Sequence, residues 1–252
     1  MPLSPSGPND GAFAAFSPSD DALRARLEAL CTEGWAIWER FAADVRDRRF
    51  HPFVAADYGV VCEALWPYRG QHPRFLEWGS ATGVITVMAS LLGFEAYGIE
   101  LDSSLIAPAR ALATKFGSGA RFVPGSFLPT GYRWRTRDGD GRTGTLGTGP
   151  SGYHELGYSL DEFDVVFGYP WDGEEPMMLD LMKNYGRPDA LLLLNSCSNG
   201  VLAYRRGQNI TDARWLPGNP ATRMEAPGSS RSTLIDGTTG PSASSSTRRR
   251  RP

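Results

Sequence analysis

Apolar and polar positions change rhythm several times along the chain, and each change marks an element. From Leu23 through Leu27, Leu30, Ile37, Phe41 and Val45 the apolar residues recur at helical spacing, which predicts a long helix packed on one face. Ser17 and Pro18 suit its start as cap and first helical residue, and Asp20 and Asp21 favour its positive end. A second helix is predicted from Phe53 to Leu65, with Pro67 stopping it. Then the period shortens. Arg74 to Trp78 reads as a short buried strand, residues 79–83 (GSATG) as a tight turn, and Val84 to Leu92 as a helix with Gly93 past its end. Glu95 to Ile99 reads as a second strand ending at the carboxylate of Glu100. Strand, turn, helix and strand of this length make a right-handed βαβ unit with parallel strands.

The alternation continues. Asp102 can cap a helix over Ser103 to Phe116, ended by Gly117, and Ala120 to Pro124 is a third strand. Phe163 onward is a fourth strand running into Gly168-Tyr169-Pro170-Trp171. Pro176 to Tyr185 is a helix capped by Gly186, and Ala190 to Asn195 a fifth, fully buried strand. Val201 to Tyr204 fits one more short strand. From Leu216 the composition is Pro, Gly, Ser, Thr and Arg, which cannot bury enough apolar surface to stay folded. The expected division is therefore a disordered lead-in (1–16), a helical extension (17–49), an α/β domain (50–215) and a disordered tail (216–252). Within the domain, residues 130–158 form a long Gly/Thr-rich insertion, expected to be a solvated loop. Arg133, Arg135, Arg137 and Arg142, interleaved with Tyr132 and Trp134, would alternatively suit an anionic substrate.

The βαβ turn directs a helix N-terminus and backbone N–H groups at the carboxyl edge of the sheet, where ligands of open α/β sheets bind. A dinucleotide fingerprint, G-x-G-x-x-G, is not met, because Ala81 and Val84 stand where its second and third glycines belong. The pattern is E-x-G-x-x-x-G, from Glu77 through Gly79 to Gly83, with Glu100 at the distance where an acid meets ribose hydroxyls. This resembles the class I (Rossmann-like) S-adenosylmethionine-dependent methyltransferases. The resemblance covers roughly residues 50–204. It implies a doubly wound, mostly parallel sheet with helices on both faces, its C-terminal strands here shortened or absent, and S-adenosyl-L-methionine as cofactor.

By the same resemblance Glu77, Gly79 and Gly83 cradle the methionine end, with Ser80 in the turn, and Glu100 holds the ribose, with Leu101 beside it. Ser126 and Phe127 follow the third strand at the adenine position, Ser126 standing where the family often carries an acid or amide. Tyr169 and Trp171 lie at the reactive end. Gly168 to Trp171 resembles the Asn-Pro-Pro-Tyr signature of enzymes that methylate amino nitrogens, but Gly168 replaces the Asn, so that chemistry is not carried over. Asp172, Glu174 and Glu175 fit equally as helix N-terminal acids and as a source of a general base. The catalytic set is then Tyr169, Trp171 and Asp172. The acceptor is an O, N or C nucleophile, taken as a small molecule. Two other readings stay open: a cofactor-binding or interaction protein without catalysis, and a nicotinamide-dependent oxidoreductase, which Ala81 and Val84 disfavour.

Composition narrows the partners. The 252 residues are 41% hydrophobic, enough for one substantial α/β core. Six of the 26 basic and two of the 28 acidic residues fall in 216–252, leaving 20 and 26, a net of −6. A core of that sign lacks the basic face expected of a nucleic-acid binder. Arg248 to Arg251 is read as a solvated charge run. Cys31, Cys62 and Cys197 show no C-x-x-C spacing and fit buried thiols in a reducing compartment. His51, His72 and His154 have no partner at metal-ligand spacing, so no metal is expected. The start carries no secretory pattern and no stretch has the length of a membrane span, which points to the cytoplasm.

Overall fold

Residues that alternate along the strands part to opposite sides of one sheet. Phe75, Val165, Phe167, Leu191 and Leu193 face one core, while Leu76, Trp78, Tyr97, Ile99, Val166, Leu192 and Leu194 face the other. A sheet covered on both faces needs such near-continuous apolar runs. The computed structural model describes residues 18–45, 54–71, 73–133, 149–171, 173–196 and 199–211. Seven strands, in the order β3-β2-β1-β4-β5-β6-β7, make up the sheet. They are β1 (Arg74–Trp78), β2 (Glu95–Glu100), β3 (Arg121–Pro124), β4 (Val165–Gly168), β5 (Leu191–Ser196), β6 (Gly200–Arg205) and β7 (Gln208–Asn209). The first five are parallel, and β6 and β7 pair antiparallel with their neighbours. This is a doubly wound, Rossmann-like sheet. The chain winds outward from β1 to β3 and returns to β4 on the other side, so the crevice of the switch point opens at the carboxyl ends of β1 and β4.

Helices α1 (Pro18–Val45), α2 (Tyr58–Leu65), α3 (Val84–Leu91) and α4 (Ser103–Lys115) contribute to the first core. Helices α5 (Tyr153–Leu156) and α6 (Glu175–Tyr185) contribute to the second. Helix α1 runs antiparallel to α2. Asp20 pairs with Arg69 at 3.3 Å and Arg24 with Glu63 at 3.7 Å, and Gly34 lies against Tyr58. A Cβ on Gly34 would come within 2.9 Å of both the Tyr58 ring and Val84, so only glycine allows this close crossing. The guanidinium groups of Arg24 and Arg69 both lie over the Trp66 ring, at 4.0 and 4.3 Å.

The strand and helix positions agree with the sequence pattern to within a residue or two over most of the described chain, and three differences have physical reasons. Helix α2 begins at Tyr58 rather than Phe53, because the Asp57 carboxylate accepts from the N–H groups of Gly59 and Val60 and caps it there. Its end at Leu65, ahead of Pro67, agrees with the sequence pattern; Pro67 sits in the first turn of a short 3-10 helix, Trp66–Tyr68, where a missing N–H is tolerated. The return of the insertion is ordered: Ser151 bridges Ser126, and residues 153–156 form α5. At the C-terminal side, β6 has six residues and the shortening falls on β7, with two. The lead-in, Ser17, His51, Phe53, His72, residues 134–148, Asp172, Cys197 and the tail from residue 212 lie outside the described residues. Among the described residues no helix is long and apolar enough to cross a membrane, and no cluster of His, Cys, Asp or Glu could hold a metal ion.

Candidate functional site

The turn after β1 is held from behind by the end of β2. Gly79 and Ser80 both donate their N–H to the Ile99 carbonyl, at 2.9 and 3.0 Å. Ala81 donates to Glu100 Oε2 at 2.7 Å, and Gly83 to the Ser80 carbonyl at 2.7 Å. Four of the turn's five amides are thus committed inward. The sequence pattern aims these N–H groups at a ligand; the structure turns three of them to β2 and the fourth, on Gly83, to the turn's own Ser80 carbonyl. The backbone pays in conformation: φ is 71° at Gly79, 45° at Ala81 and 82° at Gly83. Glycine adopts these values freely, whereas alanine at Ala81 carries roughly 1–2 kcal/mol of strain. The Glu100 bond offsets part of it.

What the turn leaves for a ligand is side chain and space. Ser80 Oγ and Thr82 Oγ1 are buried and have no hydrogen-bond partner among the described residues. Such orphans call for an explanation, a missing ligand being one. An added Cβ at Gly79 would meet nothing within 4 Å, so the turn is open on that side. Gly83 differs, since a Cβ there would sit 2.6 Å from the Phe122 ring; it seats α3 against β3. Gly98, which sequence reasoning missed, permits the close approach of turn to β2: its Cβ would come within 2.6 Å of the Ser80 Cβ. A glycine inside a strand was the available signal.

Two carboxylates lie beneath and beside the turn. Glu77 is buried, and its Oε2 accepts from the Thr86 N–H at 2.8 Å and from the Thr86 hydroxyl. Burial pushes its pKa up to about 8, against the Thr86 bonds and with some help from Glu100. Glu77 therefore ties β1 to α3 rather than lining the open side. Glu100 is buried too, and its Oε1 accepts from the Asp102 N–H at 2.8 Å. Burial raises its pKa, opposed by the N–H groups of Asp102 and Ala81. A carboxylate has about four acceptor positions, so acceptor capacity remains for a hydroxyl beside the backbone donors Ala81, Leu101 and Asp102. Leu101, next to it, is 39% exposed.

At the end of β3, Ser126 is buried and its hydroxyl accepts from the Leu128 N–H at 3.1 Å. Its backbone pairs with the returning insertion: Ser126 N–H donates to the Pro150 carbonyl at 2.9 Å, and Gly152 N–H to the Ser126 carbonyl at 2.8 Å. Phe127 stacks on Trp78, ring centroids 5.4 Å apart, which occupies one of its faces. Beyond β4, Tyr169 is half-buried and packs against the first core. Trp171 is also half-buried; its N–H donates to Glu174 Oε2 at 3.0 Å, and Glu174 returns its own N–H to the Trp171 carbonyl at 2.9 Å. Glu174 is thereby buried as the closure of this turn. The fold brings Gly79, Ser80, Glu100 and Leu101 together at one end of the crevice, with Ser126 at the end of the neighbouring β3, and sets Tyr169 and Trp171 after β4.

A doubly wound α/β sheet with a glycine turn and two buried carboxylates at its carboxyl edge is the class this chain presents. Its structure is similar to those of S-adenosylmethionine-dependent methyltransferases. An RNA methyltransferase from Salinibacter ruber in complex with S-adenosyl-L-homocysteine is 17% identical with a TM-score of 0.39, over 62% of this chain and 90% of that one. A methyltransferase from Thiobacillus denitrificans, with the same ligand, is 18% identical with a TM-score of 0.39, over 61% and 53%. The YjhP protein of E. coli is 16% identical with a TM-score of 0.39, over 61% and 54%. The chain thus spans about half the length of the last two. No protein-family model and no curated protein matches the sequence.

Proposed function

We propose that this chain is a methyltransferase that binds S-adenosyl-L-methionine at the carboxyl edge and passes its methyl group to an O, N or C nucleophile of a small-molecule acceptor. The observation that carries the reading is the inward commitment of the turn's amides beside two buried carboxylates. A diphosphate needs free N–H donors and positive surroundings. Here four donors are spent and the groups beside the turn are carboxyl acceptors, which favours a ligand that brings hydroxyls. When bound, S-adenosyl-L-methionine supplies an electrophilic methyl group on a sulfonium centre. The chain's own part is to bind and align. Gly79 leaves room for the methionine end, the hydroxyls of Ser80 and Thr82 serve its polar groups, and Gly83 seats the helix behind it. Glu77 stiffens the base of the turn from below. Glu100 uses its remaining acceptor capacity for the ribose, with Leu101, Ser126 and Phe127 around the adenine. Tyr169 and Trp171 border the methyl region, where ring faces favour positive charge by about 0.5–2 kcal/mol. Asp172, which lies outside the described residues, completes this set as a general base. Alignment of this kind contributes roughly 7–11 kcal/mol when the geometry is good.

We place the functional unit at residues 50–215, with the helical extension 17–49 before it. The free thiols of Cys31 and Cys62 support action in the reducing cytoplasm. The test is calorimetric. The full chain is expected to bind S-adenosylhomocysteine and not NADH, and Glu100→Ala to weaken that binding by roughly 10- to 150-fold, the worth of one or two hydrogen bonds to a charged group. Binding of NADH alone by the parent chain would overturn the reading.

A further inference from the structure

Helix α1 is longer than the face it covers. Asp20 meets Arg69, Arg24 meets Glu63 and Gly34 meets Tyr58, so α1 runs antiparallel to α2 and reaches the beginning of α2 at Gly34. The same glycine touches Val84, the first residue of α3, just after the glycine turn. Eleven further residues follow to Val45. At 1.5 Å per residue they extend the helix about 16 Å beyond its contact with Val84.

That overhang begins with aromatic side chains. Trp35 lies 5.0 Å from the Tyr58 ring, and Trp38 meets Trp35 edge-on at 6.1 Å. Ile37 and Phe41 are half-buried along the same stretch, and Tyr169, after β4, packs against the core that Trp35 joins. The Trp38 indole Nε1 is buried and has no hydrogen-bond partner among the described residues. The other buried indole at this edge behaves differently, Trp78 Nε1 donating to the Tyr153 hydroxyl at 2.9 Å. An indole N–H can only donate, and when buried it usually finds an acceptor. The helical turn after Gly34 therefore carries half-buried aromatic side chains and one unpartnered donor, following the contact with Val84.

We propose that the overhang of α1 is the acceptor-binding wall of this site, and that Trp38 donates its N–H to an oxygen of a planar aromatic acceptor. The proposal rests on the cofactor reading above. The perpendicular rings of Trp35 and Trp38 border the acceptor, and the hydrogen bond fixes which edge of it turns toward the methyl region. Trp38 is a positioning residue in this scheme. It touches the acceptor but exchanges no proton with it.

The test uses the full chain saturated with S-adenosylhomocysteine and 7-hydroxycoumarin as a planar, oxygen-bearing fluorescent probe, followed through quenching of tryptophan emission. Saturable binding is expected. Trp38→Phe, which keeps a ring but loses the donor, is expected to weaken it about five- to tenfold, one neutral hydrogen bond. Trp38→Ala should weaken it at least as much, while S-adenosylhomocysteine affinity, measured separately by calorimetry, changes less than about twofold in Trp38→Phe. Absence of saturable probe binding, or equal binding by parent and variants while the homocysteine ligand still binds, would overturn this inference alone. If the parent binds no S-adenosylhomocysteine, the cofactor reading falls and this one with it.

Discussion

Glu77 shows how burial and bonding compete at one residue. Burial disfavours its charged form, the two bonds from Thr86 favour it, and burial wins, leaving the pKa at about 8. The sign of the consequence follows from linkage. A carboxyl whose folded pKa lies above its unfolded value of 4.5 holds its proton more tightly when folded. Its contribution is fully present below about pH 4.5 and is lost as the pH rises through about 8. The thermal midpoint should therefore fall between pH 5 and 8, and Glu77→Gln, which keeps an acceptor for Thr86 and has no charge to bury, should flatten that fall. Equal slopes for the two proteins in thermal melts would remove Glu77 as the cause. Glu100 adds to the same trend, since burial raises its pKa too.

At the level of elements, the site is a contact between the β1 turn and the end of β2. Ile99 carbonyl and Glu100 carboxylate hold three successive amides of the turn, and Gly98 removes the side chain that would keep the two apart. Gly98→Ala would set a methyl group 2.6 Å from the Ser80 Cβ, backbone-mounted on both sides and with little freedom to yield. Overpacking of this kind costs about 1–3 kcal/mol. The variant is expected to lose that much in denaturant unfolding and to bind S-adenosylhomocysteine more weakly, because the turn is displaced together with Ser80. A variant with unchanged affinity would show that the turn does not shape the ligand site.

For the whole molecule, the sheet closes through a hairpin rather than through another crossover. β6 pairs with β5 residue for residue from Gly200–Ser196 to Arg205–Leu191, and β7 returns along β6. Thr211 finishes it, its hydroxyl accepting from the Ala203 N–H at 2.8 Å. A chain ending at Trp215 keeps every one of these contacts. We expect its thermal midpoint to stay within about two degrees of the full chain's, since little buried surface is given up. Unfolding or aggregation of the shortened chain would assign residues 216–252 a part in the fold.

The sequence by itself determined the elements and their order. Helical and strand periods, Asp102 as a cap and the glycines between segments act over a few residues, so Arg74–Trp78 and Val84–Leu91 were legible from neighbours alone. The acids at 77 and 100 were visible as residues at strand ends, but their roles diverged only in three dimensions. Glu77 turns beneath α3 to Thr86, and Glu100 turns to Ala81, nineteen residues earlier in the chain. Tertiary structure alone decided that the turn commits three amides to β2, that Ala81 takes a left-handed conformation, and that α1 continues beyond the point where Gly34 meets Val84. Each of these depends on which surfaces meet across long stretches of chain, and hydrophobic pattern records only that a surface is buried, not what lies against it.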